Sequence, residues 1–263
     1  YHFESASLGA LELSGQCKAE KTSDNPGLAL GSWLAEQCLA GRDCLQLCID
    51  EQYRSFGSWV EQLIAESTGK EGKGMLPLDG ADASAPRSRV ARVILGASTN
   101  ETFWQRYPEA DDDGIPTWRI TLEKETDLGG EFFRWCFAVA IAGSAMQLNP
   151  FDEPDVAATK AATRQLLDGE GPLGSGTPLT LQDFGASLAS AGQGAYLAIL
   201  TYLPDEPVLL DVLEEFATAA REHFELPAER FALKLILKGK AVASNPIHKQ
   251  GAVAGQGKAA VVV

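Results

Sequence analysis

Apolar and polar positions alternate along this chain in two periods, and each predicts a different element. Leu28, Leu30, Trp33, Leu34 and Cys38 recur at helical spacing. They follow Asn25-Pro26, an N-cap residue with proline at the first helical position, and Gly41 is placed to end that helix. Cys44 to Ile49 is a short apolar run that suits a buried strand. Phe56, Trp59, Val60, Leu63 and Ile64 mark a second helix, expected to end at Glu66. Residues 78–88, rich in Ala, Asp, Ser and Pro, predict an exposed loop. Val90 to Leu95 and Thr117 to Leu122 predict strands, with the acidic turn 109–114 between them.

Farther on, Gly130 to Leu148 is apolar nearly all round, the pattern of a buried helix. Asp152 suits an N-cap and Pro154 an early helical position for a helix reaching about Leu167. Residues 169–178 predict a linker, followed by helix from Leu179 to Leu188, strand from Ala195 to Tyr202 and helix from Val208 to Phe224. Strands alternating with helices of this length imply an α/β fold, a three-layer sandwich with a mainly parallel sheet. Ligands of such sheets collect at the carboxyl ends of the strands.

Composition narrows the function. The chain has 263 residues, 45% hydrophobic and 22% charged, which is ordinary globular material. A net charge of −14 argues against a nucleic-acid partner, while a local Lys/Arg cluster can still hold an anionic metabolite. No apolar run approaches the ~18 residues of a membrane span. Cys38, Cys44 and Cys48 have neither C-x-x-C spacing nor a nearby histidine, so a zinc site is not expected. The odd count of five cysteines and the lack of a signal peptide favour reduced thiols in the cytoplasm. A first residue of Tyr1 instead of methionine points to a piece of something longer, or a processed product.

Two stretches carry candidate chemistry. Glu66-Ser67-Thr68-Gly69-Lys70-Glu71-Gly72-Lys73-Gly74 sets a carboxylate at a helix C-terminus, against the dipole, before a loop with three glycines and two lysines. The glycines permit positive φ and close approach to a ligand, and the lysines can bind phosphate; a solvated turn has the same composition. Asn149-Pro150-Phe151-Asp152-Glu153-Pro154-Asp155-Val156 opens a helix that carries Lys160 among alanines, facing either a cleft or solvent. A carboxylate and an ammonium at two helix–loop junctions form a plausible acid/base pair for a small anionic substrate.

These stretches resemble the active-site segments of the glucose-6-phosphate isomerase family, most closely the isomerase half of its transaldolase-fused members. Ser58 to Lys70, Leu128-Gly129-Gly130-Glu131-Phe132-Phe133-Arg134-Trp135, and Asn149 to Lys160 carry the resemblance, which extends from about Asn25 to about Phe224. It implies a sugar-isomerase (SIS) domain over residues 25–225, preceded by a linker or remnant at 1–24 and followed by a divergent tail at 226–263. It implies an aldose–ketose isomerase working through a cis-enediol, with Glu66 shuttling the proton between C1 and C2. Lys160 would assist ring opening, Ser67, Gly69, Lys70 and Glu153 would bind the sugar phosphate, and no metal or organic cofactor is required. The implied partners are a preceding SIS domain and a transaldolase domain in the full-length chain; the resemblance leaves a homo-oligomer open and calls for neither nucleic acid nor membrane. The sequence departs from the family at Glu153, where a glutamine is usual, and residues 67–222 contain no histidine. A SIS-type sugar-phosphate-binding or regulatory module without turnover is the alternative.

Overall fold

The computed structural model describes residues 3–79, 83–84, 87–108, 113–152, 154–169, 180, 182–183, 186, 196–201, 212, 215, 232–237 and 261–262. They form helices α1 (Phe3–Gln16), α2 (Pro26–Leu39), α3 (Arg54–Thr68), α4 (Glu101–Gln105), α5 (Glu125–Ala145) and α6 (Pro154–Leu167). The strands are β1 (Cys44–Ile49), β2 (Leu76–Asp79), β3 (Ala83–Ser84), β4 (Val90–Ala97), β5 (Thr117–Leu122), β6 (Tyr196–Thr201), β7 (Ala232–Leu237) and β8 (Val261–Val262). The chain divides into two compact units: Tyr1–Gly69, Lys73–Gly80 and Arg87–Asp152 form the first, and Lys70–Gly72, Ala81–Pro86 and Glu153–Val263 the second.

The first unit is an α/β layer structure on a sheet of order β2-β1-β4-β5 in which every pair is parallel. Alternation along each strand decides what covers each face. Leu45 and Leu47 of β1, Val93 and Leu95 of β4, and Ile120 and Leu122 of β5 enter one core. There they meet Leu30 and Leu34 of α2, Phe56, Val60 and Ile64 of α3, and Trp135 and Val139 of α5. On the opposite face Cys48 and Ile94 pack against Phe103 of α4, with Trp104 and Tyr107 beside them. Helices thus cover both sides of a parallel sheet, as the strand–helix alternation implies.

Asn25 caps α2 as expected: its Oδ1 accepts the Leu28 amide at 2.8 Å, and its Nδ2 donates to Cys17 and Ala19 carbonyls. Expected boundaries need correction at several points. The long apolar helix begins at Glu125, not Gly130, because Asp127 accepts the Glu123 and Lys124 amides and closes its first turn. The Gly129-Gly130 pair inside it is a packing device: a Cβ on Gly129 would lie 1.9 Å from the Ala6 carbonyl oxygen of α1. That helix ends in a Schellman motif, with Leu148 N donating to Gly143 O, Gln147 N to Ser144 O, and Gln147 at φ 57°.

The second correction concerns residues 78–88. Leu76–Asp79 is an interior-facing strand with Leu78 buried, and Ala83–Ser84 is a strand as well, so this stretch is not an exposed loop throughout. Its proline and aspartate content masks a strand that, among the described residues, pairs with β1 alone.

In the second unit the sheet order is β3-β7-β6-β8, with β3 antiparallel to β7 and the other pairs parallel. The expected strand at Ala195 to Tyr202 is β6 to within one residue at each end. Thr180 and Asp183 hydrogen-bond reciprocally, each side chain accepting the other's amide. Most of the acidic turn 109–114, the linker at 169–178 beyond Gly169 and most of the expected helices at 179–188 and 208–224 lie outside the described residues.

Candidate functional site

Parallel pairing fixes where Glu66 lies. β1 and β2 start level, Cys44 opposite Leu76, so the helix joining them runs back against the strands and ends at their amino edge. That helix, α3, continues two residues past Glu66 to Thr68. Thr68 is buried, and its hydroxyl donates to Ile64 O at 2.8 Å while accepting the Met75 amide at 3.2 Å. Met75 immediately precedes β2, so the turn that follows Glu66 is pinned to the first residues of that strand.

Between those anchors the backbone reverses through Glu71, Gly72 and Gly74 at φ 56°, 68° and 85°. Gly74 admits no substituent, since a Cβ there would sit 2.0 Å from Thr68 O. Cys38 Sγ also donates to Gly74 O at 3.4 Å, tying α2 to the turn.

Within this frame Glu66 is half-buried and its Oε1 accepts from Gln62 Nε2 at 3.1 Å, one helical turn back. Ser67 is half-buried, and Gly69 is buried with its amide donating to Ala65 O at 3.0 Å. Lys70 is buried, only 3% exposed, and is grouped with the second unit.

The same edge receives the end of α5. Lys73 Nζ donates to Gln147 O at 3.4 Å, which brings the glycine/lysine turn to the segment leading into Asn149. There Asn149 Oδ1 accepts the Phe151 amide at 3.1 Å, an Asx turn that leaves Phe151 82% exposed. Both sequence stretches therefore begin at one edge of one sheet. Lys160 is exposed on α6 in the second unit, and Glu153 lies outside the described residues.

At the carboxyl edge, where ligands of open parallel sheets usually bind, the strand-order switch holds a buried carboxylate of the chain. The strand order reverses between β1 and β4, and Asp50 follows β1 at that point, 2% exposed. Its carboxylate accepts from Asn100 Nδ2 and Gln52 Nε2, each at 2.9 Å, and from the Gln52 and Ala97 amides at 3.4 Å. Burial alone would raise its pKa, but these four donors outweigh that and hold it below the ordinary aspartate value.

One more charged group lies in the first unit's interior. Glu131 of α5 is 2% exposed, and its Oε1 lies 3.3 Å from Arg134. Burial, opposed by Arg134 and reinforced by Asp127, pushes its pKa up to about 7.

Sequence reading missed Thr68, Asp50 and Glu131 as structural determinants. Asp50 had a readable signal, an aspartate directly between an apolar run and a helix. Among the described residues no three His, Cys, Asp or Glu side chains are grouped to hold a metal. None of the five cysteines is in a disulfide. Among the described residues no helix is long and apolar enough to cross a membrane.

Comparison with known proteins supports one family. The chain is 25% identical over 200 residues to a probable glucose-6-phosphate isomerase of Methanococcus maripaludis, covering 61% of this chain and 45% of that protein. It is 26% identical over 161 residues to a probable glucose-6-phosphate isomerase of Halobacterium salinarum, covering 47% and 38%. A glucose-6-phosphate isomerase of Methanocaldococcus jannaschii is 28% identical over 125 residues. The chain spans less than half the length of these curated relatives. No family model matches it. A hypothetical protein from Thermus thermophilus shares the fold, with a TM-score of 0.51 at 15% identity over 63% of this chain and 50% of that one.

Proposed function

We propose that this chain is part of a sugar-phosphate isomerase that interconverts glucose 6-phosphate and fructose 6-phosphate. The observation that carries the reading is the meeting, at the amino edge of the first sheet, of the Glu66 turn and the segment beginning at Asn149. These are the two stretches that resemble the family's active-site segments, and the curated relatives bear its name.

Glu66 is the base. Its carboxylate takes the proton from C2 of the open-chain aldose and returns it at C1, and the cis-enediol between is stabilised by nearby hydrogen-bond donors and cations. Lys160 assists ring opening and binds substrate oxygens, while Ser67, Gly69, Lys70 and Glu153 bind the sugar phosphate. The half-buried position of Glu66 supports this role, because a carboxylate removes a carbon-bound proton only when closely placed and partly desolvated. The acting enzyme includes a further SIS domain, fused to a transaldolase domain, and works in the cytoplasm without metal or organic cofactor.

A coupled assay of glucose 6-phosphate formation from fructose 6-phosphate tests this, on the full-length protein that contains this chain. Glu66→Gln should lower turnover by roughly a thousandfold with the melting temperature retained. An unchanged rate removes Glu66 from the role. The exposed position of Lys160 on α6 is the observation behind a second reading, a sugar-phosphate-binding module without turnover. A rise in melting temperature with sugar phosphates and no product would select it.

A further inference from the structure

The Glu66 carboxylate hangs from the last full turn of α3, so what ends that helix decides where the carboxylate points. A helix end normally frays, and its last carbonyls lack partners. Here a hydroxyl in the last turn ties that end to the next strand. Thr68 Oγ1 donates to Ile64 O at 2.8 Å, inside the helix, and accepts Met75 N at 3.2 Å, outside it. The two bonds use the hydroxyl in both senses at once, as donor and as acceptor. Residues 69–74 are thereby closed into a loop whose ends are held by one side chain, with the side chain 1% exposed.

The surroundings reinforce this closure. Gly74 approaches Thr68 so tightly that any side chain would collide with the Thr68 carbonyl, and its φ of 85° suits only glycine. Cys38 Sγ reaches Gly74 O from α2, so the loop is held from the sheet side and from the neighbouring helix. Ser67 and Gly69 flank Thr68 directly, so the turn that carries them takes its position from the same hydroxyl.

We propose that Thr68 is a positioning residue for Glu66: its hydroxyl fixes the end of α3 against the start of β2 and so holds the carboxylate in place for proton transfer. This rests on the reading of Glu66 as the base. Thr68 touches no reacting atom; it acts through the backbone two residues away. A displacement of about 1 Å in such a carboxylate lowers turnover by roughly a hundredfold.

The test compares Thr68→Val, which keeps the shape and removes the hydroxyl, with Thr68→Ser, which keeps the hydroxyl. Two readouts are taken on the full-length protein: exchange of the Met75 amide, and the separate effects on kcat and KM for fructose 6-phosphate. Thr68→Val should speed Met75 exchange by roughly fivefold or more, the loss expected for one buried hydrogen bond. It should lower kcat by ten- to a hundredfold with KM within a factor of about three. Thr68→Ser should restore both. Unchanged Met75 exchange in Thr68→Val overturns the clamp, and unchanged kcat overturns the positioning role. Equal losses in Val and Ser variants also overturn it, because the hydroxyl would then not be the cause. A wild type with no isomerase activity overturns the Glu66 reading and the positioning role together, and Met75 exchange still decides the clamp alone.

Discussion

Asn100 Nδ2 donates to Asp50 Oδ2 at 2.9 Å, joining the residue that follows β1 to the turn that follows β4. The contact spans the point where strand order reverses, the crevice in which open parallel sheets hold ligands. Here an internal carboxylate lies at that point. The anion that a helix N-terminus attracts is part of the chain, and it takes up two amides of the backbone.

Removing that carboxylate should be costly. Asp50→Ala leaves the Ala97 and Gln52 amides and the Asn100 side chain without their acceptor in a buried place, a loss of about 2–3 kcal/mol. Asp50→Asn keeps one acceptor oxygen and should lose less. Because folding holds this group below its ordinary pKa, its contribution is present above the unfolded aspartate pKa of about 3.9 and fades as pH falls through the folded value. Urea unfolding of the three proteins at pH 7 checks the order; an Ala variant as stable as the parent would show the network to be dispensable.

The first unit's sheet was largely legible from pattern because its strands are short apolar runs and its helices have one apolar face. β1 and β5 lie where the pattern placed them, and β4 extends two residues beyond Leu95. Legibility failed where tertiary contact overrides local preference. Gly130 read as the helix start, yet it and Gly129 are interior, since their lack of side chains admits α1. Leu78 and Asp79 read as loop, yet they belong to a strand. At the candidate site the sequence pointed to Glu66, but not to the sheet edge it occupies or to Thr68, because both follow from parallel pairing and not from residue type. β7, at Ala232–Leu237, had no counterpart in the pattern and falls in the stretch 226–263 expected to be a divergent tail.

Packing of α1 on α5 gives a paired prediction with an internal control. Gly129→Ala puts a Cβ within 1.9–2.6 Å of the Ala6 backbone, which cannot rotate away, so α1 must shift as a body. The loss should be about 2 kcal/mol, exceeding the ~1 kcal/mol that alanine gains over glycine in a helix. Gly15→Ala, on α1 with nothing within 4 Å of the new Cβ, should instead gain roughly 0.5 kcal/mol. Melting temperatures measured side by side decide this; equal shifts in the two variants would rule out the packing explanation.

Arg89 and Asp43 form a second testable pair, at the amino edge. Arg89 Nε and Nη2 reach the two carboxylate oxygens at 2.8 Å each, a fork-to-fork geometry between the residues that precede β4 and β1. The arginine side chain is 10% exposed and the aspartate 21%. Burial opposes the arginine's charge, but the Asp43 hydrogen bonds outweigh it and raise its pKa. Arg89→Met retains the aliphatic stem and strands the aspartate, so it should cost about 3 kcal/mol, while Arg89→Met combined with Asp43→Asn should recover part of that. A double variant less stable than the sum of the single ones would contradict the pairing.

The buried carboxyl of Glu131 should make stability fall as the medium turns from acid to neutral. In the folded chain its pKa is pushed up to about 7 from an ordinary 4.5, first by burial, with Asp127 adding to it and Arg134 opposing. The folded state therefore binds this proton more tightly than the unfolded state. Stability from the group is complete below about pH 4.5 and is lost as pH rises towards 7, by on the order of 3 kcal/mol. Arg134 does not cancel the effect, because its nearest nitrogen stays 3.3 Å from one carboxyl oxygen while Glu131 Oε2 and Arg134 Nε have no hydrogen-bond partner. Glu131→Gln has the shape of the protonated acid and cannot ionise, so the variant should lose this slope while the parent keeps it. The difference between their unfolding free energies, followed from pH 4 to pH 8, isolates Glu131 from Asp50 and every other titrating group. Parallel curves would mean that Glu131 is ionised throughout and that Arg134 compensates its burial in full.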